Sequence, residues 1–341
     1  MATNIQKLNL REIAKRARVS TATVSRAINR IPTVNPFLAR RVWKVVKDSG
    51  YYPNTLARAL VSGQSRILGL IVSELINPFF AELVQEFESL AAQHGYEVLL
   101  RSTAGNLGSM ETGIRRMIER RVDGVAVLSF GVGEQVIKDL PLHCVPVVVF
   151  DSVLHIPGIG TVRIDYQNGI RQAVQHLAAL RHNHIAFVAG PGQLGDTLIR
   201  KKAFQDAMAE IGSEARQDLI VPGEHSVESG MKVLLDLWCL RPKPTAVLCA
   251  DDLAAMGVLA QAYELGINVP NDLSVVGFND IRAAQFTAPP LTTVRVSTSD
   301  LALQAFQMLA DRDMTSIPSE NAAFVVKTDL ILRRSTGLQS G

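Results

Sequence analysis

"LREIAKRARVSTATVSRAIN", residues 10–29, decides how the front of this chain folds. Leu10, Ile13, Ala14 and Ala17 recur at i, i+3, i+4 and i+7, the spacing of one helical face. "RVS" is a tight connection, and Ser20 is a ready N-cap for a second helix, with Val24, Ala27 and Ile28 facing inward. That leaves Thr21, Ala22, Ser25 and Arg26 facing outward, with no acid among residues 20–30.

A third helix follows in "VNPFLARRVWKVVKDSG", residues 34–50, with Asn35 as N-cap, Pro36 at its first position and Gly50 at its end. Phe37, Val42, Val45 and Val46 supply its apolar positions. Two short helices with a three-residue turn, closed by a third, form a helix-turn-helix unit. A helix lying in the major groove needs short side chains at its N-terminus, so that the backbone approaches the base edges. It also needs a few long donors. Thr21 and Ala22 suit a thymine methyl or a base edge, and Arg26, one turn on, suits a guanine. Ser20, Thr23, Ser25 and Asn29 suit phosphate oxygens.

The charge agrees. Residues 1–62 hold twelve Lys and Arg against Glu12 and Asp48, a formal +10. The remaining chain holds 23 basic and 30 acidic residues, a formal −7. A basic head on a mildly acidic body points to a polyanion as the partner of the head.

"LREIAKRARVSTATVSRAIN" and "GYYPNTLARAL", residues 50–60, resemble the DNA-binding head of the lactose-repressor (LacI/GalR) family of bacterial regulators. The resemblance implies that Thr21, Ala22 and Arg26 read bases, with Leu10 as a further base contact. Arg18 stands where the family's turn usually carries glycine, so a non-glycine residue is expected in a left-handed conformation. Residues 53–65 read as a hinge. Pro53 stops the third helix and Asn54 can cap a short helix through Leu60. By resemblance, paired hinges enter the minor groove, where Leu56 and Ala57 pack together and Leu60 wedges open a base step.

From residue 66 the pattern becomes strand, helix, strand. "RILGLIVSE", "YEVLLRST", "VDGVAVLSF", "VPVVVFD" and "GTVRID" form one series; "HIAFVAG", "TAVLCA" and "SVVGFND" form a second, each with amphipathic helices between. Such runs mean parallel sheets covered on both faces. The expected fold class is therefore a three-helix head and hinge helix (α) followed by two Rossmann-like α/β lobes. The expected domains are 1–52, 53–65, 66–163 plus 293–322, and 164–292 plus 323–341. Ligands of such sheets sit beyond the carboxyl ends of the strands, where Ser73, Asp151, Asp251 and Asn279 lie.

The resemblance extends through "VVGFNDI", "PPLTTV" and "DLILRRST". It implies a periplasmic-binding-protein-like clamp on a small effector. By it Arg200 holds effector hydroxyls or carboxylates, and Ser73, Asp151, Asp251 and Asn279 line the cleft. Phe79 and Phe80 pack at its mouth. Two departures stand out: Asn279 where sugar-binding members carry aspartate, and His225 where an aromatic is common. An asparagine donates as well as accepts, which changes the hydrogen-bond demand.

Three cysteines without a CxxC pair point to reduced thiols, and no apolar run approaches the ~18–20 residues of a membrane span. No secretory leader or leucine heptad is visible, and no catalytic motif, metal site or cofactor is expected. "GPGQLG", residues 190–195, fits the dinucleotide fingerprint literally, so a nicotinamide-dependent enzyme with a DNA-binding head is one rival; a solute-binding protein is another. The expected protein is a cytoplasmic, nucleoid-associated homodimeric regulator, a repressor first. It binds near-palindromic operator DNA and is controlled by a sugar, sugar derivative or nucleoside.

Overall fold

The computed structural model describes residues 9–29, 31–51, 63–104, 107–128, 145–150, 159–192, 195–310 and 323–339. The chain divides into two compact units, up to Arg66 and from Ile67 onward.

The first unit holds α1 (Leu10–Ala17), α2 (Thr21–Ile28) and α3 (Pro36–Asp48). Asn9 caps α1 by accepting from the Glu12 amide at 3.0 Å, and Asn35 caps α3 by accepting from Phe37 at 2.9 Å. Arg18 closes α1 in the left-handed conformation, φ 52° and ψ 48°. An arginine therefore occupies the position where glycine would be unstrained. Ile13, Ala14, Ala17, Val24, Ala27, Ile28, Val42 and Val46 form one small core. Arg41 reaches from α3 to donate to the Ala17 carbonyl at 2.6 Å, satisfying one of the carbonyls that end α1.

The second unit carries two six-stranded sheets. In the first, all five pairings are parallel and the order is β11 (Ala323–Val326), β5 (Ile159–Ile164), β4 (Val147–Phe150), β3 (Gly124–Leu128), β1 (Ile67–Val72), β2 (Glu97–Ser102). In the second, the order is β12 (Thr328–Ile331), β10 (Thr292–Val296), β9 (Ser274–Asn279), β8 (Ala246–Cys249), β6 (Ile185–Ala189), β7 (Ile220–Pro222). Only β12 there runs antiparallel, against β10. The helices between strands are α4 (Pro78–Gln93), α5 (Leu107–Glu119), α6 (Tyr166–Ala179), α7 (Gly195–Glu210), α8 (Val227–Trp238), α9 (Asp252–Glu264) and α10 (Thr298–Ala310). Nearly every residue of β1, β3, β4, β6, β8 and β9 is buried, as strands covered on both faces require. Phe187 on β6 stacks on Phe204 of α7, ring centroids 4.9 Å apart.

Two lobe boundaries differ from those expected. Residues 292–296, expected from 293 onward in the first lobe, form β10 of the second sheet. Residues 323–326, expected in the second lobe, pair with β5 in the first. The chain therefore passes between lobes three times, at Asp165, Ser297 and Lys327. Strand pairing decides these memberships, and pairing is invisible to a linear reading.

The tail beyond β12 is fastened to the second lobe by two histidines. His182 places Nε2 2.9 Å from the Gly337 carbonyl and 2.9 Å from the Ser274 hydroxyl, with Nδ1 2.9 Å from the Thr245 hydroxyl. His176 meets the Thr336 hydroxyl at 2.9 Å. Burial lowers the pKa of both imidazoles below the usual 6.5; the charge of His182 depresses His176 further, and the Gly337 hydrogen bond opposes the shift at His182. Both groups take up a proton more readily when unfolded. Their contribution is therefore present above pH 6.5 and lost as pH falls through the folded values. Urea midpoints should fall between pH about 7.5 and about 5, and by less in His182→Gln. Equal acid losses in both proteins would remove the histidine from this role.

Candidate functional site

On α2 the helix geometry sorts the residues before any ligand is considered. Ser20 accepts the Thr23 amide at 3.0 Å, and the two hydroxyls lie 2.9 Å apart, so both are engaged in the cap. Val24, Ala27 and Ile28 are turned into the core. Thr21, Ala22 and Arg26 are exposed, and Thr23, Ser25 and Asn29 are half-buried at its edge. Positions i, i+1 and i+5 lie on one side of a helix at about 100° per residue. The three side chains therefore form one outward row, short residues first and the long guanidinium last. Leu10, at the start of α1, is exposed, as are Ile31, Phe37 and Trp43 of the same unit. The hinge residues Leu56, Ala57 and Leu60 lie outside the described residues, as does Asp151.

In the second unit a cleft of about 290 Å³, partly open to solvent, is lined by Asn77, Phe79, Phe80, Ile164, Tyr166, Arg200, His225, Asp251 and Asn279. Five of these, Phe79, Phe80, Arg200, His225, Asp251, and Asn279 as a sixth, were expected from the sequence. Asn77, Ile164 and Tyr166 were not. Ser73 ends its strand at the same sheet edge, yet it is not part of the lining; its carbonyl accepts the hydroxyls of Ser102 and Thr103, each at 3.4 Å.

Arg200 is 3% exposed. Nη1 donates to the Ala250 carbonyl at 3.0 Å and Nη2 to the Tyr166 hydroxyl at 3.1 Å. Asp196, one turn earlier on α7, sets Oδ2 3.5 Å from Nη2. The guanidinium lies over the Tyr166 ring at 4.5 Å and the Phe278 ring at 5.6 Å. Much of its bonding capacity is therefore spent on shaping the cleft wall.

Asp251 divides its two oxygens. Oδ1 accepts the Ala254 amide at 2.8 Å as N-cap of α9, and Oδ2 lies 3.0 Å from His225 Nδ1. The helix-capping role is thus real, and the remaining oxygen serves the cleft. The His225 ring packs on Gly190, where a Cβ would stand 3.0 Å from its Cε1, its Nε2 and the Thr197 hydroxyl. Close packing thus accounts for the first glycine of "GPGQLG"; residues 193 and 194 of that string lie outside the described residues. Half-buried Glu74 follows β1 nearby. Burial raises its carboxyl above the usual carboxylate range, with Asp251 adding to the rise and His225 opposing it.

Asn279 has φ 104° and Asp280 φ 55°, both in the left-handed half of backbone space. Such residues persist only where neighbours over-determine them. Asp280 is held by Arg295 at 2.7 Å and Arg333 at 2.6 Å. The Ile281 amide donates to buried Asp252 at 2.8 Å. The Arg282 amide donates across the lobes to Glu82 of α4 at 2.9 Å.

Asn77 was within reach of sequence reading, because "NPFF" repeats the Asn-Pro cap of α3, and it does accept the Phe79 amide at 3.1 Å. Tyr166 and Ile164 carried no such signal; they flank the first lobe crossing, which is known only from the topology.

Comparison with known proteins agrees with both units. Residues 9–54 match the family described as bacterial regulatory proteins, lacI family, and residues 174–336 match a periplasmic binding protein-like domain. Catabolite control protein A of Priestia megaterium is 33% identical over 87% of this chain and 90% of its own length. The HTH-type transcriptional repressor CytR of Escherichia coli K12 is 32% identical over 96% of each chain. The lac repressor dimer bound to operator and the anti-inducer ONPF superposes with a TM-score of 0.86, at 25% identity, covering 97% of this chain and all of that one.

The buried pair on α7 yields a double-substitution test. Arg200→Met leaves the Asp196 carboxylate uncompensated and should cost about 3–5 kcal/mol in urea unfolding. Adding Asp196→Leu should recover most of that loss. Additive losses would show that the pair is not coupled.

Proposed function

The chain belongs to the lacI family of bacterial regulatory proteins, which makes it a DNA-binding transcriptional regulator, and from that we propose that it is a cytoplasmic homodimeric repressor. Two heads would bind successive half-sites of a near-palindrome, since a two-fold protein matches a two-fold operator. The relatives it matches across nearly their whole length are regulators.

The observation that carries the proposal is the outward row Thr21, Ala22 and Arg26 on a capped helix, within a segment of formal charge +10. In this reading the row and Leu10 meet base edges, while Ser20, Thr23, Ser25 and Asn29 meet the phosphates. The two hydroxyls that already cap α2 hold its amide end toward the backbone of the duplex. Leu60 wedges the minor groove at the operator centre, with Leu56 and Ala57 packing against the partner hinge.

The cleft takes a small effector: a sugar, sugar derivative or nucleoside. Phe79, Phe80 and Tyr166 offer flat apolar faces, and Asn279, Asp251 and His225 offer hydrogen-bonding groups of both kinds. Asp151 would complete the lining. Effector binding controls operator affinity only to the extent that it prefers one lobe arrangement.

Arg26→Ala should weaken operator binding by about 1–3 kcal/mol and relax selection at one base pair per half-site, read from binding to a duplex library randomised at each position. Equal weakening on every sequence would remove Arg26 from base reading. Operator affinity should also fall steeply with salt, with a log–log slope near −0.9 per phosphate neutralised; a flat dependence would contradict capture of DNA by the basic head.

A further inference from the structure

The N-termini of α4 and α9 line the cleft and α7 reaches it at Arg200, one turn beyond Asp196; a helix N-terminus is a natural anion site. Here the chain supplies its own groups to them. Asp251 caps α9, Asp196 sits in the first turn of α7, and Asn77 caps α4. An incoming phosphate would have to compete with two buried carboxylates for the positive ends of α7 and α9.

The only arginine among the described lining residues offers no compensation. The charge of Arg200 is matched by Asp196 at 3.5 Å, with both side chains 4% exposed. Asp251 stands against His225 at 3.0 Å, so a doubly protonated imidazole would cancel Asp251 and no more. Glu74 adds one negative charge or none. Whatever the protonation states of His225 and Glu74, these charges sum to zero or below. The other lining residues, Asn77, Phe79, Phe80, Ile164, Tyr166 and Asn279, carry no charge at neutral pH.

We propose that the effector is uncharged, and that Asp196 and Asp251 are specificity-determining residues that reject its phosphorylated form. This rests on the reading of the cleft as a sugar or nucleoside site and narrows it. The rejection is electrostatic: like charges brought together in a partly desolvated site are strongly unfavourable. Asp196 acts by holding the Arg200 charge to itself, and Asp251 acts directly from the wall.

The test uses the full-length protein and calorimetric titration with matched pairs: adenosine, cytidine, ribose and glucose, each beside its phosphate monoester. A neutral compound that binds should exceed its phosphate ester by more than about tenfold. That gap should narrow at high salt, because screening weakens charge repulsion but not steric exclusion. It should also narrow in Asp196→Asn, which keeps the side-chain shape and releases the Arg200 charge; a gap unmoved by both salt and this substitution would overturn the electrostatic assignment. A phosphate ester that binds as tightly as its parent would overturn the inference and leave the sugar or nucleoside reading standing. Failure of every compound to bind would overturn that reading and the inference with it.

Discussion

Relative motion of the two lobes has to pass through three short crossings, and these are fastened together at Thr328. The Thr328 side chain is fully buried. Its hydroxyl donates to the Asp165 carbonyl at 2.7 Å, and its own carbonyl accepts from Asn168 at 2.8 Å and Gln172 at 3.1 Å. The Asp165 amide in turn donates to Val326 at 2.9 Å. The first and third crossings are therefore bonded to each other. Helix α6 comes down onto this point because residue 169 is glycine: a Cβ there would stand 2.5 Å from Val294 and 2.7 Å from the Thr328 hydroxyl. A joint of this kind holds the two lobes together at one buried point.

The turn at residues 279–282 adds a chemical connection between the lobes. Asn279 lines the cleft, and three residues later the Arg282 amide bonds to Glu82 of the opposite lobe. Between them, Asp280 and Ile281 are pinned from three directions, by Arg295, Arg333 and Asp252. Two consecutive non-glycine residues in left-handed space cost of order 1–3 kcal/mol each, and these charged and buried partners hold them there. Asp252 is fully buried; burial pushes its carboxyl up, while the hydrogen bonds it accepts from the Thr293 hydroxyl and the Ile281 amide oppose that rise and satisfy its two oxygens. The same turn thus offers a group to the cleft and a bond between the lobes.

Local chemistry was the legible part of this chain. Caps at Asn35 and Ser20, the periodic faces of α1 and α2, and the apolar runs of the central strands all follow from residues within a few positions of each other, and the structure carries them. The left-handed Arg18 was legible only through the resemblance, because the family's turn usually carries glycine at that position. What failed was pairing. Strands β10, β11 and β12 are four or five residues each, and nothing in "TTVRV" or "AFVV" says which sheet will take it. That long-range choice also decides that Ile164 and Tyr166 reach the cleft. Ser73 was read correctly as a residue at a strand end, and it lies outside the described lining of the cleft.

The head separates stability from recognition to an unusual degree. Its core is eight apolar residues, six of them alanine or valine, from three helices. A core this small leaves little margin, so caps and terminal carbonyl bonds carry much of the load, as Arg41 on Ala17 illustrates. None of the exposed row is among those core residues: Thr21, Ala22 and Arg26 lie on the side of α2 away from Val24, Ala27 and Ile28. Substitutions along that row leave untouched the packing that holds the helix in place. The Ser20 and Thr23 side sits differently, because their two hydroxyls form the cap that starts α2. The exposed row is therefore free to vary in such a head, whereas the cap residues are tied to the position of the helix itself.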